Sequence, residues 1–317
     1  MKLSVIIATA FREEPLRKTF SHIRGQTRLP FEVVIVDGEP APGVQKFIEN
    51  ESSTPVFNLK YLRWNPPSAA IQRNEGMKIA TGDILLFLDD DAYPDKDCFS
   101  KIMTVFEQDK ENEIGGVGAL LSNQHSAPPS PRAKKYFDFL ADEIKADYSG
   151  CVIGPAVNIL PQNTQDGSVK QVEWLNSTCT AYRREAFIEE LFNENFTGYS
   201  FMEDVDLSTR IARKWKLCVH TGAQAYHDYR ESRFKKPFNK TRMSIVNRYY
   251  VMTETLNRRT LKHHFKFLVL ITVSQVIQLA HINSPGSLMT SFKECLGAIV
   301  GLVEIIPAAF INLLFKR

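Results

Sequence analysis

The hydrophobic pattern changes period repeatedly along the first ninety residues, and each change marks an element. Leu3 to Ala8 is an apolar, β-branched run broken only by Ser4, which predicts a strand buried on both faces. From Pro15 to Arg24, Leu16, Phe20 and Ile23 recur at helical spacing. A second run, Phe31 to Val36, stops at Asp37-Gly38. The alternation continues with a helix over 44–49, a strand over 57–63, and a helix over 69–80 carrying Arg73 and Asn74. The strand Ile84 to Leu88 then ends on three consecutive carboxylates, Asp89, Asp90 and Asp91. Four such strands interleaved with helices predict an α/β fold, a Rossmann-like, mostly parallel sheet with helices on both faces.

Further along, the pattern predicts a helix over 97–107, an exposed loop over 122–132 with Pro128, Pro129 and Pro131, and a strand from Val172 through Trp174. A helix over 184–191 follows, then the acidic turn Glu203-Asp204-Val205-Asp206 opening a helix to Lys214, and a strand over 224–226 ending at His227. Two long apolar stretches, 265–280 and 295–315, flank Asn283-Ser284-Pro285-Gly286. The expected organisation is a catalytic domain over 1–225, a basic, aromatic-rich segment over 226–264, and an apolar helical hairpin over 265–317 that associates with a membrane or another subunit.

Composition narrows the class. At 317 residues, 44% hydrophobic and 24% charged, the chain can bury a core, which excludes disorder as its main state, and a mean hydropathy of -0.21 excludes a protein made mainly of membrane spans. The net charge of +3 hides an asymmetry, because residues 228–266 hold eleven Lys or Arg against Asp228, Glu231 and Glu254. Five scattered cysteines with no metal-ligand spacing fit a reducing compartment, and the first apolar run is too short for a signal peptide. The expected location is the cytoplasmic side, peripheral on or anchored in the inner face of the cell membrane. Aromatic residues interleave with the basic ones, yet no nucleic-acid motif accompanies them. A solvated face is one reading; contact with anionic headgroups or the diphosphate of a lipid-linked acceptor is the other. The stretch 265–280 is short for a span of about twenty residues, and 295–315 contains Glu304 and Pro307. Helices lying in the membrane interface, or packing in a homodimer, are therefore expected ahead of a re-entrant or spanning hairpin, with burial on the protein's own body the remaining alternative.

Three polar groups carry candidate chemistry. Like charges crowded at the end of a buried strand repel, so Asp89-Asp90-Asp91 either caps a solvated turn or holds a divalent cation with a bound diphosphate. Asp204, near a helix start, either offsets the helix dipole or acts as a general base toward a hydroxyl. His227 is either a satisfied imidazole or a ligand suited to Mn2+.

In order, the chain resembles the family 2 inverting glycosyltransferases, whose catalytic body has the GT-A fold. The resemblance covers roughly residues 1–230 and rests on Ser4-Val-Ile-Ile-Ala-Thr9-Ala-Phe11, Val33-Val-Ile-Val-Asp37-Gly38 and Gln72-Arg73-Asn74-Glu75-Gly76. It continues through Thr81 to Pro94 with the acidic triplet, Trp174-Leu175, Arg183-Arg184-Glu185, Glu203-Asp204-Val-Asp206-Leu and His227. The resemblance implies a nucleotide-diphosphate sugar donor, UDP- or dTDP-linked, with Thr9 and Phe11 lining the base pocket and Asp37 accepting the imide hydrogen. It puts Arg73 against base or phosphate, Asp89 toward the ribose with Asp90 beside it, and Asp91 with His227 on Mn2+ or Mg2+. Asp204 would be the base that deprotonates a hydroxyl acceptor, possibly lipid-linked, in surface-polysaccharide or glycolipid synthesis.

The chain departs from the family pattern in three places. Asp37 is followed by Gly38-Glu39-Pro40, which puts the ribose contact in question. Ser177-Thr178 replaces paired glycines and alters the acceptor pocket. No Gln-x-x-Arg-Trp is present, Lys214-Trp215 being the nearest approach, so addition of a single sugar is expected rather than processive synthesis. A sugar nucleotidyltransferase would need a glycine-rich loop after the first strand, and Thr9 to Pro15 has no glycine. A catalytically silent membrane scaffold with the same fold is the remaining alternative, and the intact Asp91, Asp204 and His227 argue against it.

Overall fold

The structure, a computed structural model, describes residues 1–39, 42–53, 55–124, 128–164, 166–197, 200–228, 236–282 and 284–315. In chain order the elements begin with β1 (Leu3–Thr9), α1 (Glu13–Arg24), β2 (Glu32–Asp37), α2 (Pro42–Ser53), β3 (Asn58–Arg63), α3 (Ala69–Ile79), β4 (Ile84–Leu88), β5 (Ala92–Pro94), α4 (Cys98–Gln108) and β6 (Ile114–Leu121). They continue with α5 (Pro131–Leu140), β7 (Val152–Ile153), β8 (Val157–Asn158), β9 (Val169–Val172), β10 (Cys179–Arg183), α6 (Glu203–Ile211) and β11 (Lys216–His227). Last come α7 (Pro237–Tyr250), α8 (Leu261–Ala280) and α9 (Pro285–Phe315). Two compact units result: Met1–Ala127 with Leu160–Arg230, and Pro128–Ile159 with Glu231–Arg317.

The first unit is built on a sheet of order β3-β2-β1-β4-β10-β6-β11-β5, with β9 paired to β11. β3, β2, β1 and β4 run parallel, so the continuous apolar runs sit where both faces are covered. Alternation within each run divides it between two cores. Val5, Ile7, Val33, Ile35 and Leu86 pack under α1, α2 and α4 through Leu16, Phe20, Phe47 and Phe99. Ile6, Val34, Val36 and Phe87 pack under α3 and α6 through Met77, Leu207 and Ile211. Each of these fully buried side chains contributes about 1.5–3 kcal/mol of transfer free energy.

Because β1, β2 and β4 are parallel, their C-terminal ends share one sheet edge, and Thr9, Asp37 and Asp89 lie at or just past those ends. In a doubly wound sheet this is the edge where ligands bind. β10 enters antiparallel between β4 and β6, and β5 and β9 run antiparallel to β11. From β4 onward, four of the five strand pairings are thus antiparallel, β6 with β11 being the parallel one.

Several elements differ from the sequence expectation. The strand expected through Trp174 is β9, which ends at Val172, and the helix over 184–191 is only a 3-10 turn, Arg184–Phe187. The strand at 224–226 lies within the last third of the twelve-residue β11. Within the expected loop 122–132, residues 125–127 lie outside the described ones and Pro131 already opens α5, capped by the Ser130 hydroxyl accepting from Ala133 N. β6 escaped because three glycines, at 115, 116 and 118, interrupt its apolar run.

In the second unit, α7 packs along α9. A Cβ added at Gly297 would lie 2.3 Å from the Phe238 carbonyl oxygen, so glycine permits the close approach there. The segment 128–159 joins this unit rather than the residues that flank it in sequence.

Candidate active site

The acidic triplet lies in the turn from β4 to β5. Asp89 N donates to Thr178 O at 3.0 Å and Ala92 N donates to Asp89 O at 3.1 Å, which fixes the turn. β5 then pairs with the end of β11, setting His227 opposite Ala92, and Asp228 N donates to Asp91 O at 2.9 Å. Asn123 holds the His227 backbone from the other side, its Nδ2 donating to the carbonyl oxygen at 2.7 Å and its Oδ1 accepting from the amide at 3.1 Å. His227 Nε2 therefore stands 3.1 Å from Asp91 Oδ1 and 3.8 Å from Asp89 Oδ2. One ligand atom from each residue lies within 4.8 Å of the other two. Adjacent ligands of a six-coordinate ion with bonds of about 2.1 Å stand about 3 Å apart, and a mixed carboxylate and imidazole set suits Mn2+ or Mg2+. The three residues thus fit a divalent cation.

Arg12 governs the charge beside this group. Its Nη1 lies 2.7 Å from Asp90 Oδ1 and its Nη2 2.6 Å from Asp91 Oδ2. The second oxygen of Asp90 accepts from the Thr9 hydroxyl at 2.6 Å. Burial pushes the Asp90 carboxyl up to about 7, against the pull of Arg12. Asp91 is also desolvated, yet its hydrogen bond and charge contact with His227, reinforced by Arg12, hold its carboxyl below the usual range. Asp91 is consequently ionised and Asp90 is a buried support.

Asp204 is carried by the first turn of α6, which opens after Met202 in the left-handed region at φ 73 and with Glu203 N donating to Ser200 O at 3.1 Å. Asp204 Oδ1 accepts from Val205 N at 2.8 Å. Arg73, nearly buried on α3, joins this turn to the acidic triplet: Nη1 lies 2.6 Å from Glu203 Oε1 and Nη2 2.9 Å from Asp89 Oδ1. Desolvation raises the Asp204 carboxyl, with the nearby Asp89 charge adding to the rise and Arg73 opposing it. The same burial, with Asp204 adjacent, raises Glu203. A carboxylate shifted upward at a half-exposed helix start has the basicity of a general base near neutral pH.

At the β1 and β2 ends, Asp37 is fully buried. Its Oδ2 accepts from the Tyr61 hydroxyl at 2.9 Å and its Oδ1 from Glu39 N at 3.2 Å, while burial raises its carboxyl. Thr9 O accepts from Gly38 N and from Gln72 Nε2, each at 2.8 Å. Phe11 is held at φ 60, its N donating to Glu39 O at 2.8 Å. A non-glycine residue held there is strained, and such strain gathers at functional sites.

Asp89, Asp91 and His227 are thus brought together, and Arg73 ties them to the turn bearing Asp204. Thr9, Phe11 and Asp37 gather at the adjoining strand ends. Three of the expected site residues have partners within the chain. Arg73 has its guanidinium engaged by Glu203 and Asp89. Asp89 stands with Asp91 and His227 in one group of ligand atoms. Asp90, with its oxygens held by Thr9 and Arg12, is buried. Sequence reasoning missed Arg12, Tyr61 and Asn123, which stand far from their partners along the chain. The one available signal was Arg12 following Thr9 by three residues at a strand end.

The architecture is that of the GT-A glycosyltransferases. It matches S. aureus TarS residues 1–349 with a TM-score of 0.53 at 16% identity, covering 98% of this chain and 83% of that one. It matches GalNAc-T7, crystallised with UDP, GalNAc and Mn2+, with a TM-score of 0.57 at 16% identity, covering 79% of this chain and 50% of that one. Residues 4–192 match glycosyl transferase family 2, and the chain belongs to that family. An uncharacterized glycosyltransferase of Haemophilus influenzae is 34% identical over 111 residues. That alignment spans 33% of this chain and 35% of the relative, about a third of each.

Proposed function

We propose that the protein is a metal-dependent, inverting glycosyltransferase that moves a single sugar from a nucleotide diphosphate to a hydroxyl acceptor. The observation that carries this reading is the cluster of Asp89, Asp91 and His227 joined through Arg73 to the turn bearing Asp204. Asp89, Asp91 and His227 would hold a divalent cation, which would supply positive charge against the departing diphosphate. Asp204 takes the proton of the acceptor hydroxyl, whose oxygen attacks the anomeric carbon as the bond from that carbon to the diphosphate oxygen breaks. Attack opposite the leaving group inverts the centre. Thr9, Phe11 and Asp37 bind the nucleobase, Asp37 accepting from the imide of uracil or thymine. Arg73 acts as a positioning residue, holding Asp89 and the start of α6 in mutual register.

The UDP and Mn2+ recorded with GalNAc-T7 support a UDP-linked donor and that ion. The absence of Gln-x-x-Arg-Trp supports single addition. The basic surplus and the two apolar C-terminal helices support a lipid-linked or surface-glycan acceptor met at the inner face of a membrane. The catalytic domain of this reading ends near residue 225, followed by the basic segment and the apolar hairpin.

Transfer from a panel of nucleotide sugars, with and without Mn2+, tests the reading through Asp204→Asn. Turnover in the variant is expected to fall by about 10²–10⁴ while UDP affinity stays unchanged. Full turnover in Asp204→Asn would remove the base from the mechanism, and failure of wild-type protein to bind any nucleotide diphosphate would remove the transferase.

A further inference from the structure

We infer that α9 docks lengthwise on an anionic lipid bilayer as an interfacial helix and does not cross it. This deepens the membrane location proposed above and does not depend on the transferase chemistry.

α9 is amphipathic in an unusual sense: one face is buried by its own unit, and the other is apolar and open. The buried face includes Ser291, Ala298, Ile305 and Asn312, spaced by sevens. The open face is Phe292, Leu296, Ile299, Val303, Ile306 and Phe310, alternating by four and three residues and each 40–62% exposed. α8 carries a matching open stripe at Leu261, Phe265, Leu268, Val276 and Leu279.

Three occupants could cover such a seam, and the residues beside it discriminate. A second copy packing as a water-soluble coiled coil calls for charged residues flanking the seam. α9 has none from Cys295 to Val303 and none after Glu304, and Glu304 is taken by Arg242, 2.6 Å away within the chain. Hydrocarbon tolerates such uncharged flanks; water does not. The surrounding charge favours an anionic surface, since residues 236–315 contain nine Lys or Arg against three Glu. Lys236, Lys240, Lys262 and Lys293 are exposed.

A perpendicular span conflicts with α7. α9 is 31 residues, about 46 Å, against a hydrocarbon thickness of about 30 Å. Its central glycines, Gly297 and Gly301, face the backbone of α7 at Phe238 and Arg242. Any span centred on the apolar window Gly286–Leu313 would draw α7, with exposed Asn239 and Lys240 and the Arg242–Glu304 pair, into the hydrocarbon. Lying flat, α9 buries its open face alone and leaves α7 in water.

The test uses full-length protein, vesicles of phosphatidylcholine with or without phosphatidylglycerol, and the double variant Ile299→Asp, Val303→Asp. Both substituted side chains point outward, and circular dichroism checks that helicity is kept; Phe292→Ser serves in its place if the double variant unfolds. The wild type is expected to float with anionic vesicles, less with neutral ones, and to be released by alkaline carbonate. The variant is expected to partition about a hundredfold more weakly. Retention after carbonate would mean a span and overturn the inference. So would failure of the wild type to float, or a lipid-free dimer by light scattering that the variant splits. Stabilisation by UDP with Mn2+, read on the same samples, reports on the transferase reading separately.

Discussion

At the residue scale, the site is a problem of negative charge. Six carboxylates, Asp37, Asp89, Asp90, Asp91, Glu203 and Asp204, lie at or just past two strand ends and one helix start, and two guanidiniums distribute the balance among four of them. Arg73 holds Asp89 and Glu203, while Arg12 holds Asp90 and Asp91. Since the proposed base works only when ionised and its carboxyl is raised to about 6, kcat/KM for transfer should fall about tenfold per pH unit below that value. Above it the rate should level off. A profile flat from pH 5 to 8 would show that no group with this shift controls the reaction. Arg12→Ala removes the counter-charge from two buried carboxylates, so it should lower Tm by several degrees without divalent ions. Added Mn2+ should restore more stability to this variant than to the wild type, because the cation takes over part of the lost role; an equal shift in both proteins would place Arg12 outside the cation's reach.

At the scale of elements, α3 positions Arg73 only by approaching β1 closely. A Cβ at Gly76 would lie 2.5 Å from Ile6 Cγ2, with Val36 Cγ2 also nearby. Gly76→Leu should therefore cost about 1–3 kcal/mol, read as a lower urea midpoint with an unchanged m value, and should reduce turnover by displacing Arg73. The parallel half of the sheet was legible in sequence because β1, β2 and β4 are continuous apolar runs, the first two separated by the clearly periodic α1. The antiparallel half was obscured: β10, Cys-Thr-Ala-Tyr-Arg, mixes polar and apolar residues although every one is buried. The site was legible where function and strand end coincide, as at Asp89 to Asp91 and His227. It was hidden where a residue acts through a partner far along the chain, as Arg12 does on Asp90 and Tyr61 on Asp37.

At the scale of the whole molecule, the two units carry different chemistry. The first gathers acidic side chains at one sheet edge, and the second concentrates cations and open apolar helices. Removal of divalent ions should silence the first without unfolding it, because Arg12 and Arg73 remain as internal counter-charges and His227 keeps its contact with Asp91. Dialysis against EDTA should cut transfer by at least about a hundredfold, with far-UV circular dichroism unchanged and activity restored by Mn2+. Activity that survives chelation would mean that the carboxylate and imidazole group serves as a structural tie.

His227 reaches Asp91 through an irregularity in β11. That strand pairs with β6 up to His220, skips three residues, and resumes at Gln224 before turning to β5. Strand side chains alternate in direction, so the parity of the skipped segment decides which of Tyr226, His227 and Asp228 is turned toward Asp91. Changes of identity among residues 221–223 leave that parity intact, whereas loss or gain of one residue reverses it and presents a phenol or a carboxylate in place of the imidazole. The length of this short detour is a stricter requirement than its composition.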